Sequence, residues 1–221
     1  MALHRAPRAN RRLGLKIRAI LAGGLALGVG ATVTLAAWND SEYATTTVTA
    51  STFNIVGNMS GQTGGTAFTE HDTTASAGVV TYSPAVTGMS PNTVSYGTVQ
   101  IQTTAATNVG GSVIVQQSGA APATPLAGAL RYAIRVAPNQ AACAEALFTS
   151  TTPPAGSVIV PNATPFSTGI VTAGQTTQSL SAAAGNTVTY CVRIELPAGA
   201  PSTLQGGTAT ATWQFLATSS S

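Results

Sequence analysis

The sequence predicts an all-β protein, a β-sandwich that carries a short peripheral helix and is preceded by a signal-peptide helix. Short stretches rich in Val, Thr, Ile and Tyr recur along the chain, and several alternate apolar and polar residues with the period of two expected of a half-buried strand. The chain holds 23 glycines and 12 prolines, many of them at turn-like positions between these stretches. Helical periodicity is almost absent after residue 43. Frequent strands with this punctuation are typical of a β-sandwich.

The first 43 residues have the layout of a secretory signal. Met1–Arg18 carries six basic residues and no acidic one, Ala19–Ala37 is an apolar run of 19 residues, and a polar stretch begins at Trp38. This order predicts a signal peptide over residues 1–37. An uncleaved anchor is the alternative, since 19 apolar residues nearly span a bilayer, but four glycines and two threonines dilute the run. Twin-arginine export is a rival route, because Arg11-Arg12 begins a partial match to that signal. We expect an exported protein, secreted or at the cell surface, whose only membrane contact is the signal peptide before cleavage.

Removal of residues 1–37 reverses the charge of the protein. The whole chain has a formal net charge of +3, but six of its nine basic residues lie in the first 18 positions. The remaining 184 residues carry three arginines against six acidic residues, which gives a net charge of −3, and they contain no lysine. Binding to nucleic acid needs clustered cations, so we expect no nucleic-acid partner. A chain of this length fits one domain with its own core.

Ten stretches of the mature chain are predicted to be strands, and a loop over Gly57–Gly65 and Thr66–Ala77 interrupts them. In the stretch Thr187–Leu196, Cys191 falls on the polar face because side chains alternate along a strand. In the stretch Thr208–Ala217, Trp213 and Phe215 share the apolar face, which predicts that they anchor the core. The organisation is therefore a signal peptide over 1–37, an N-terminal strand over 38–56 and a sandwich over 57–221. The ten stretches are Thr45–Ile55, Gly78–Ser83, Val94–Thr103, Gly111–Gln117, Leu130–Ala137, Ser157–Val160, Thr168–Thr172, Thr176–Leu180, Thr187–Leu196 and Thr208–Ala217.

The two cysteines of the chain are Cys143 and Cys191. An even pair outside the cytoplasm predicts a disulfide, which would close a loop of roughly 50 residues and contribute about 4 kcal/mol through chain entropy. Two separate buried thiols are the alternative, and a zinc site lacks a nearby histidine. Cys143 lies in Asn139–Phe148, which is rich in helix formers and has Asn139 as an N-cap. We expect a short helix that the disulfide attaches to the outer face of one sheet.

The sequence offers little for catalysis. The mature chain holds one histidine, His71, and contains no HExxH, GxSxG or CxxC motif. Glu70, His71 and Asp72 supply three ligand types in a row, but adjacent residues of a strand point to opposite faces, and loop residues of this kind are usually solvated. A serine nucleophile would have His71 alone as its partner. We expect no enzymatic activity, no metal and no cofactor.

Both ends of the mature chain carry a specific pattern. The boundary AAWNDSEYA at Ala36–Ala44 leads into a threonine-rich stretch that reaches Ile55, and the chain closes with GTATATWQFLATS at Gly207–Ser219. Together these resemble the TasA/camelysin family of exported bacterial proteins. The resemblance implies cleavage between Ala37 and Trp38 by a SipW-type signal peptidase, a jelly roll among the jelly-roll/Ig-like sandwiches, and assembly of matrix fibres by donor-strand exchange. Camelysin relatives have been classed as metallopeptidases, but the single histidine of the mature chain, His71, is a poor fit to a metallopeptidase site.

The stretch over residues 38–56 supplies the function hypothesis. It is extended by composition, uncharged after Glu42 and set free by cleavage, and such a segment can add to an open sheet edge of another molecule. We therefore expect a self-associating, fibre-type structural subunit of an extracellular matrix or biofilm. In the alternatives, the segment is the first strand of its own sandwich, or the protein is a monomeric surface module that binds glycan or protein through Gly57–Ala77. The donor-strand positions are Trp38, Tyr43, Val48, Phe53 and Ile55.

Overall fold

The computed structural model describes residues 10–33, 41–61 and 65–220. The chain divides into two compact units, Met1–Val48 and Thr49–Ser221. The first contains helix α1, Asn10–Val33, and residues 41–48, which form no helix or strand. No helix within the described ranges is both long enough and apolar enough to cross a membrane. The predicted cleavage position, Ala37 and Trp38, lies outside the described residues.

The second unit is built mainly from two antiparallel sheets, which confirms the prediction of an all-β fold. The longest pairing joins strand β3, Thr93–Thr103, to strand β8, Thr187–Leu196, from Thr93 opposite Leu196 to Gln102 opposite Thr187. Sheet A contains, in spatial order, β1 (Ile55–Asn58), β3 (Thr93–Thr103), β8 (Thr187–Leu196), β5 (Arg131–Ala137) and β6 (Val158–Pro165), with β2 (Tyr82–Ser83) also paired to β3. Sheet B contains β7 (Gln178–Leu180), β4 (Gly111–Ser118) and β9 (Thr212–Ser219).

The two sheets share one hydrophobic core. Val113 and Val115 of β4 and Val99 of β3 are fully buried in it. Ring contacts also join the sheets: the centroids of Tyr190 and Phe215 lie 5.1 Å apart. Burial of each large side chain contributes about 1.5–3 kcal/mol, so this core holds the sheets together. The alternation predicted for β8 is confirmed, because its buried core residues are Val188, Tyr190, Val192, Ile194 and Leu196.

A second, small cluster lies on the outer face of sheet A, where the predicted disulfide forms. Cys143 and Cys191 are bonded and fully buried, and Phe148 packs in the same cluster. The segment that carries Cys143 contains a 3₁₀ turn, Gln140–Ala142, and helix α3, Glu145–Thr149. Asn139 is the N-cap of the turn, since its Oδ1 accepts from the N–H of Ala142 over 2.9 Å. The expectation of a short helix attached by the disulfide to the outside of one sheet is therefore confirmed.

Several predicted elements are corrected. The stretch Thr45–Ile55 is not a strand, since only Ile55 belongs to β1, which continues through the predicted loop as far as Asn58. β-Branched threonines fit a strand only where a neighbouring strand pairs with them, and residues 45–54 have no such neighbour within the described residues. The predicted limit between residues 56 and 57 falls inside β1.

The limits of other strands differ from the predicted ones for local reasons. The predicted strand Thr168–Thr172 is absent, because Phe166–Thr168 forms a 3₁₀ turn and Gly169 follows with φ +73°. The stretch Gly78–Ser83 reduces to the two residues of β2, and Thr208–Ala217 begins its strand only at Thr212. Helix α2, Pro125–Ala129, was not predicted; Thr124 caps it and Pro125 occupies its first turn.

Candidate functional site

An apolar cleft of about 970 Å³ opens between the two sheets. One wall is formed by β1, β2 and the loop before β2, and the other by β9 and the residues just before it. Among the described lining residues, only Glu70 and Asp72 carry a formal charge. Clefts of this size with a mainly apolar lining are the usual form of a binding site. The large apolar side chains of the lining are Ile55, Val56, Met59, Val79, Val80, Tyr82, Val86, Ile101, Phe166, Ile194, Trp213 and Phe215.

Glycines let the wall on the sheet A side pack closely. A Cβ on Gly97 would lie 2.8 Å from Val80 Cγ1 and 2.9 Å from the Tyr82 ring. The side chains of Val80 and Tyr82 thus lie directly on the backbone of β3, where any larger residue would displace them. Gly78 also allows close packing, because a Cβ at this position would lie 2.6 Å from Met59 Cγ and 2.9 Å from His71 Nε2.

Three aromatic rings meet at one end of the cleft. Trp213 stacks on Tyr132 with centroids 6.3 Å apart and an interplanar angle of 11°, and Phe166 packs edge-on against both rings. The hydroxyl of Tyr132 donates to the carbonyl of Gly169 over 2.6 Å. Burial raises the pKa of Tyr132 to about 12. Trp213 and Phe215 were predicted as buried anchors, but both are only half-buried because their strand borders the open cleft.

His71 holds the loop at the rim of the cleft. Its Nδ1 lies 2.9 Å from the carbonyl oxygen of Ser76 and its Nε2 lies 2.9 Å from Oγ1 of Thr69. A carbonyl oxygen only accepts, so Nδ1 carries a proton and donates to Ser76, while Nε2 is hydrogen-bonded to the hydroxyl of Thr69, a group that can donate or accept. Both ring nitrogens are therefore engaged in fixing the loop. No cluster of three or more His, Cys, Asp or Glu side chains within the described residues is arranged to hold a metal ion.

The backbone of β4 shows which groups of sheet B face outward. Val115 binds the side-chain amide of Gln175 with its N–H and its C=O, on the side away from β9. Backbone directions alternate along a strand, so Ile114 and Gln116 direct their groups toward β9.

β9 consequently has an open edge. Its residues opposite Ile114 and Gln116 are Leu216 and Gln214, which bond inward to β4. Trp213, Phe215 and Ala217 therefore direct their N–H and C=O groups to the outer side, where no described strand pairs with β9. The strand contains no lysine, no proline and no charged residue, the features with which proteins usually protect an edge.

The edges of sheet A are protected in ways that β9 lacks. β6 contains Pro161 and Pro165, and its pairing with β5 is irregular. β1 is four residues long, and Gly57 exchanges two 3.0 Å hydrogen bonds with Thr69 on its outer side. The long edge without protection thus lies beside the apolar cleft.

The donor-strand positions separate into two groups. Tyr43 and Val48 are 95% and 88% exposed, in a segment without strand pairing. Phe53 packs on Gly111 at the start of β4, and Ile55 lies in β1 at the cleft. Trp38 lies outside the described residues. Thr52 is bonded to the loop between β3 and β4: its N–H donates to Asn108 Oδ1 over 2.8 Å, and its hydroxyl donates to the carbonyl of Ala106 over 2.7 Å.

Sequence reasoning missed the cleft and the open edge. The open edge could have been suspected from the sequence of β9, which has no charge and no proline and contains the aromatic residues Trp213 and Phe215. The fold and the site define an all-β protein of two antiparallel sheets with an open strand edge above an apolar cleft. No protein-family model matches this chain, and no curated protein matches it.

Proposed function

We propose that this protein is a secreted, fibre-type structural subunit of an extracellular matrix that assembles by donor-strand exchange. In this proposal a SipW-type signal peptidase cleaves between Ala37 and Trp38, and the freed N-terminal segment of one copy adds to the next. The proposal places the chain with the TasA/camelysin proteins and its sandwich with the jelly-roll/Ig-like group. It assigns no catalytic residue and no cofactor.

The open edge of β9 above the apolar cleft is the observation that carries this proposal. A strand laid beside β9 would bond to the outward backbone groups of Trp213, Phe215 and Ala217. Its alternate side chains would then enter the cleft between the sheets. Backbone pairing of this kind supplies affinity, and the side chains that enter the cleft supply register.

The segment over residues 41–51 has the properties of a donor. Every residue in it is exposed, and none belongs to a helix or a strand. After Glu42 it carries no charge and no proline, so nothing in it opposes pairing with an uncharged edge. Ala44, Thr46, Val48 and Ala50 share one face of the extended segment. Small side chains with one valine suit a cleft that already holds aromatic rings.

The disulfide and the charge support export. A buried disulfide is typical of proteins that fold outside the reducing cytoplasm, and Cys143 and Cys191 form one here. The mature chain has a net charge of −3, and three of its six acidic residues, Glu70, Asp72 and Glu145, lie exposed on the second unit. These properties suit a protein that stays soluble until it assembles.

Deletion of Trp38–Thr47 from the mature chain tests the proposal. These residues precede Thr49, where the second compact unit begins, so the deletion leaves both sheets intact. We expect the parent to form fibres, seen by electron microscopy, and the deletion variant to remain a monomer by light scattering. A second variant replaces residues 41–50 with glycine and serine, which keeps the length of the segment and removes its side chains. It should also remain monomeric. Normal fibres from either variant would refute donor-strand assembly.

A monomeric module that binds a glycan or another protein is the second candidate. It is favoured by the loop before β2, since Glu70, His71 and Asp72 line the cleft beside apolar residues. This candidate requires the mature parent chain to remain monomeric with its cleft open. Size-exclusion chromatography of the mature chain over a range of concentrations distinguishes the two candidates.

A further inference from the structure

Two side-chain amides close the side of sheet B that lies opposite β9. β7 is three residues long and pairs only with the stretch of β4 from Gly111 to Val113. Beyond that point the edge of β4 continues with no neighbouring strand in the part of the chain that the structure describes, and Val115 directs its backbone groups to this side. An edge of this kind pairs readily with another chain unless something covers it.

Gln175 covers the edge of β4. Its Oε1 accepts from the N–H of Val115 over 2.7 Å, and its Nε2 donates to the carbonyl oxygen of Val115 over 2.8 Å. A primary amide offers the same donor and acceptor as a peptide unit, so this side chain occupies the place of a strand residue. A turn holds it there: the N–H of Gln175 donates to Thr172 over 3.1 Å, and Gly174 supplies φ +75°.

Asn186 covers the outer side of β7 in the same way. Its Oδ1 accepts from the N–H of Ser181 over 2.6 Å, and its Nδ2 donates to the carbonyl oxygen of Ser179 over 2.9 Å. Gln178 and Leu180 of β7 face β4, so the groups that Asn186 engages are the ones that face away from the sheet. On this side, the outward groups of Val115 and those of Ser179 and Ser181 are therefore bonded to amide side chains.

We propose that Gln175 and Asn186 are gatekeepers that prevent a second copy of this chain from adding a strand to the β4–β7 side of sheet B. They confine edge pairing to β9, which bears no such amide on its outer side among the described residues. The closed side becomes a latent interaction surface whose partner is an extended strand of another copy. This inference rests on the proposed function only for the consequence that assembly uses a single edge.

The test changes Gln175 in the variant that lacks Trp38–Thr47, which removes the proposed donor. Gln175→Ala removes the amide, and Gln175→Met removes it while it keeps the length of the side chain. Gln205→Ala is the matched control, because Gln205 is exposed and its side chain makes no hydrogen bond within the described residues. Sedimentation velocity over a range of concentrations measures association, and hydrogen exchange followed by NMR measures the Val115 amide.

We expect both Gln175 variants to form concentration-dependent oligomers under conditions in which the parent and Gln205→Ala are monomeric. In the monomer range, the Val115 amide should exchange about two- to tenfold faster, the range expected for the loss of one hydrogen bond. Asn186→Ala should accelerate exchange at Ser181 in the same way.

Two results would overturn the inference: unchanged exchange at Val115, or Gln175→Met remaining as monomeric as the control. Because Gln175→Met keeps the size of the side chain, it carries the test even if Gln175→Ala proves unstable. Fibre formation by the deletion variant itself would refute the proposed function instead, and the exchange comparison at Val115 would still decide the role of Gln175.

Discussion

Removal of the disulfide between Cys143 and Cys191 should lower the free energy of unfolding by about 2–4 kcal/mol. The bond joins residues 48 positions apart, and a loop of that length restricts the unfolded chain by about 4 kcal/mol. The loss should fall short of the full value, because an unfolded chain retains residual structure and the bond then removes less entropy than the ideal loop model gives. In the folded protein the segment keeps other attachments when the bond is removed. The carbonyl oxygens of Leu147 and Phe148 accept from the side chains of Arg135 and Asn162 over 2.6 and 2.8 Å.

The assay is urea unfolding of the mature chain, with the parent compared to the double variant Cys143→Ala, Cys191→Ala. The midpoint should fall, and the far-UV spectrum of the folded protein should stay unchanged, because the bond lies in the outer cluster and not in the core that the two sheets share. Thr151→Ala, at an exposed position in the loop that follows α3, is the control and should change little. A loss below about 1 kcal/mol would refute the loop-entropy reasoning.

Burial of both sulfurs also predicts how fast a dissolved thiol reduces the disulfide. Cys143 and Cys191 are 0% exposed, so a dissolved thiol reaches the bond only when the segment over residues 138–150 opens. Reduction of the native protein by dithiothreitol should therefore be slow and should accelerate with urea. Rapid reduction in native buffer would show that the outer cluster around Phe148 does not protect the bond.

Three further predictions concern assembly, pH and chemistry. Val48→Asp should reduce fibre growth at least about tenfold, because a buried unpaired carboxylate costs several kcal/mol, whereas Thr47→Asp on the opposite face of the segment should have a smaller effect; light scattering measures the rate, and equal effects would contradict the assigned face. Burial raises the pKa of Tyr132 and of Tyr96 to about 12. A raised folded-state pKa stabilises the fold below pH 10 and loses that contribution as pH rises from 10 to 12, so urea midpoints should fall across that window, and a constant midpoint would contradict it. Purified mature chain should not hydrolyse casein; chelator-sensitive hydrolysis that disappears in His71→Ala would refute the non-enzymatic proposal.

The parts of the fold that depend on local pattern were predicted from the sequence. The strand Thr187–Leu196 was predicted with its observed limits, because it alternates over ten residues and turn residues flank it. The N-cap at Asn139 was likewise predicted, since its mechanism involves only residues 139 to 142. The segment over residues 45–54 was mispredicted because β propensity describes how a residue fits a sheet, and it does not supply the neighbouring strand.

The site depended on pairings between distant residues and could not be predicted. The cleft forms because β9 pairs with β4, about 100 residues earlier in the chain, while β1 and β2 pair with β3. Gln175 reaches Val115 across 60 residues, and no local pattern distinguishes it from an ordinary surface glutamine. The proposed donor segment was selected from its composition, and its residues 41–51 are exposed and belong to no strand.

The threonine content of that segment links its solubility to its proposed use. An apolar extended segment would aggregate in solution, and a charged one would be repelled from an uncharged edge. Threonine is β-branched and therefore fits a pleated sheet, while its hydroxyl group keeps the free segment hydrated. Residues 45–47 are all threonine, and Val48 and Ala50 add apolar area on one face. In the proposed assembly, the segment therefore stays exposed until it pairs with β9, and the amides of Gln175 and Asn186 keep it from the far side of sheet B.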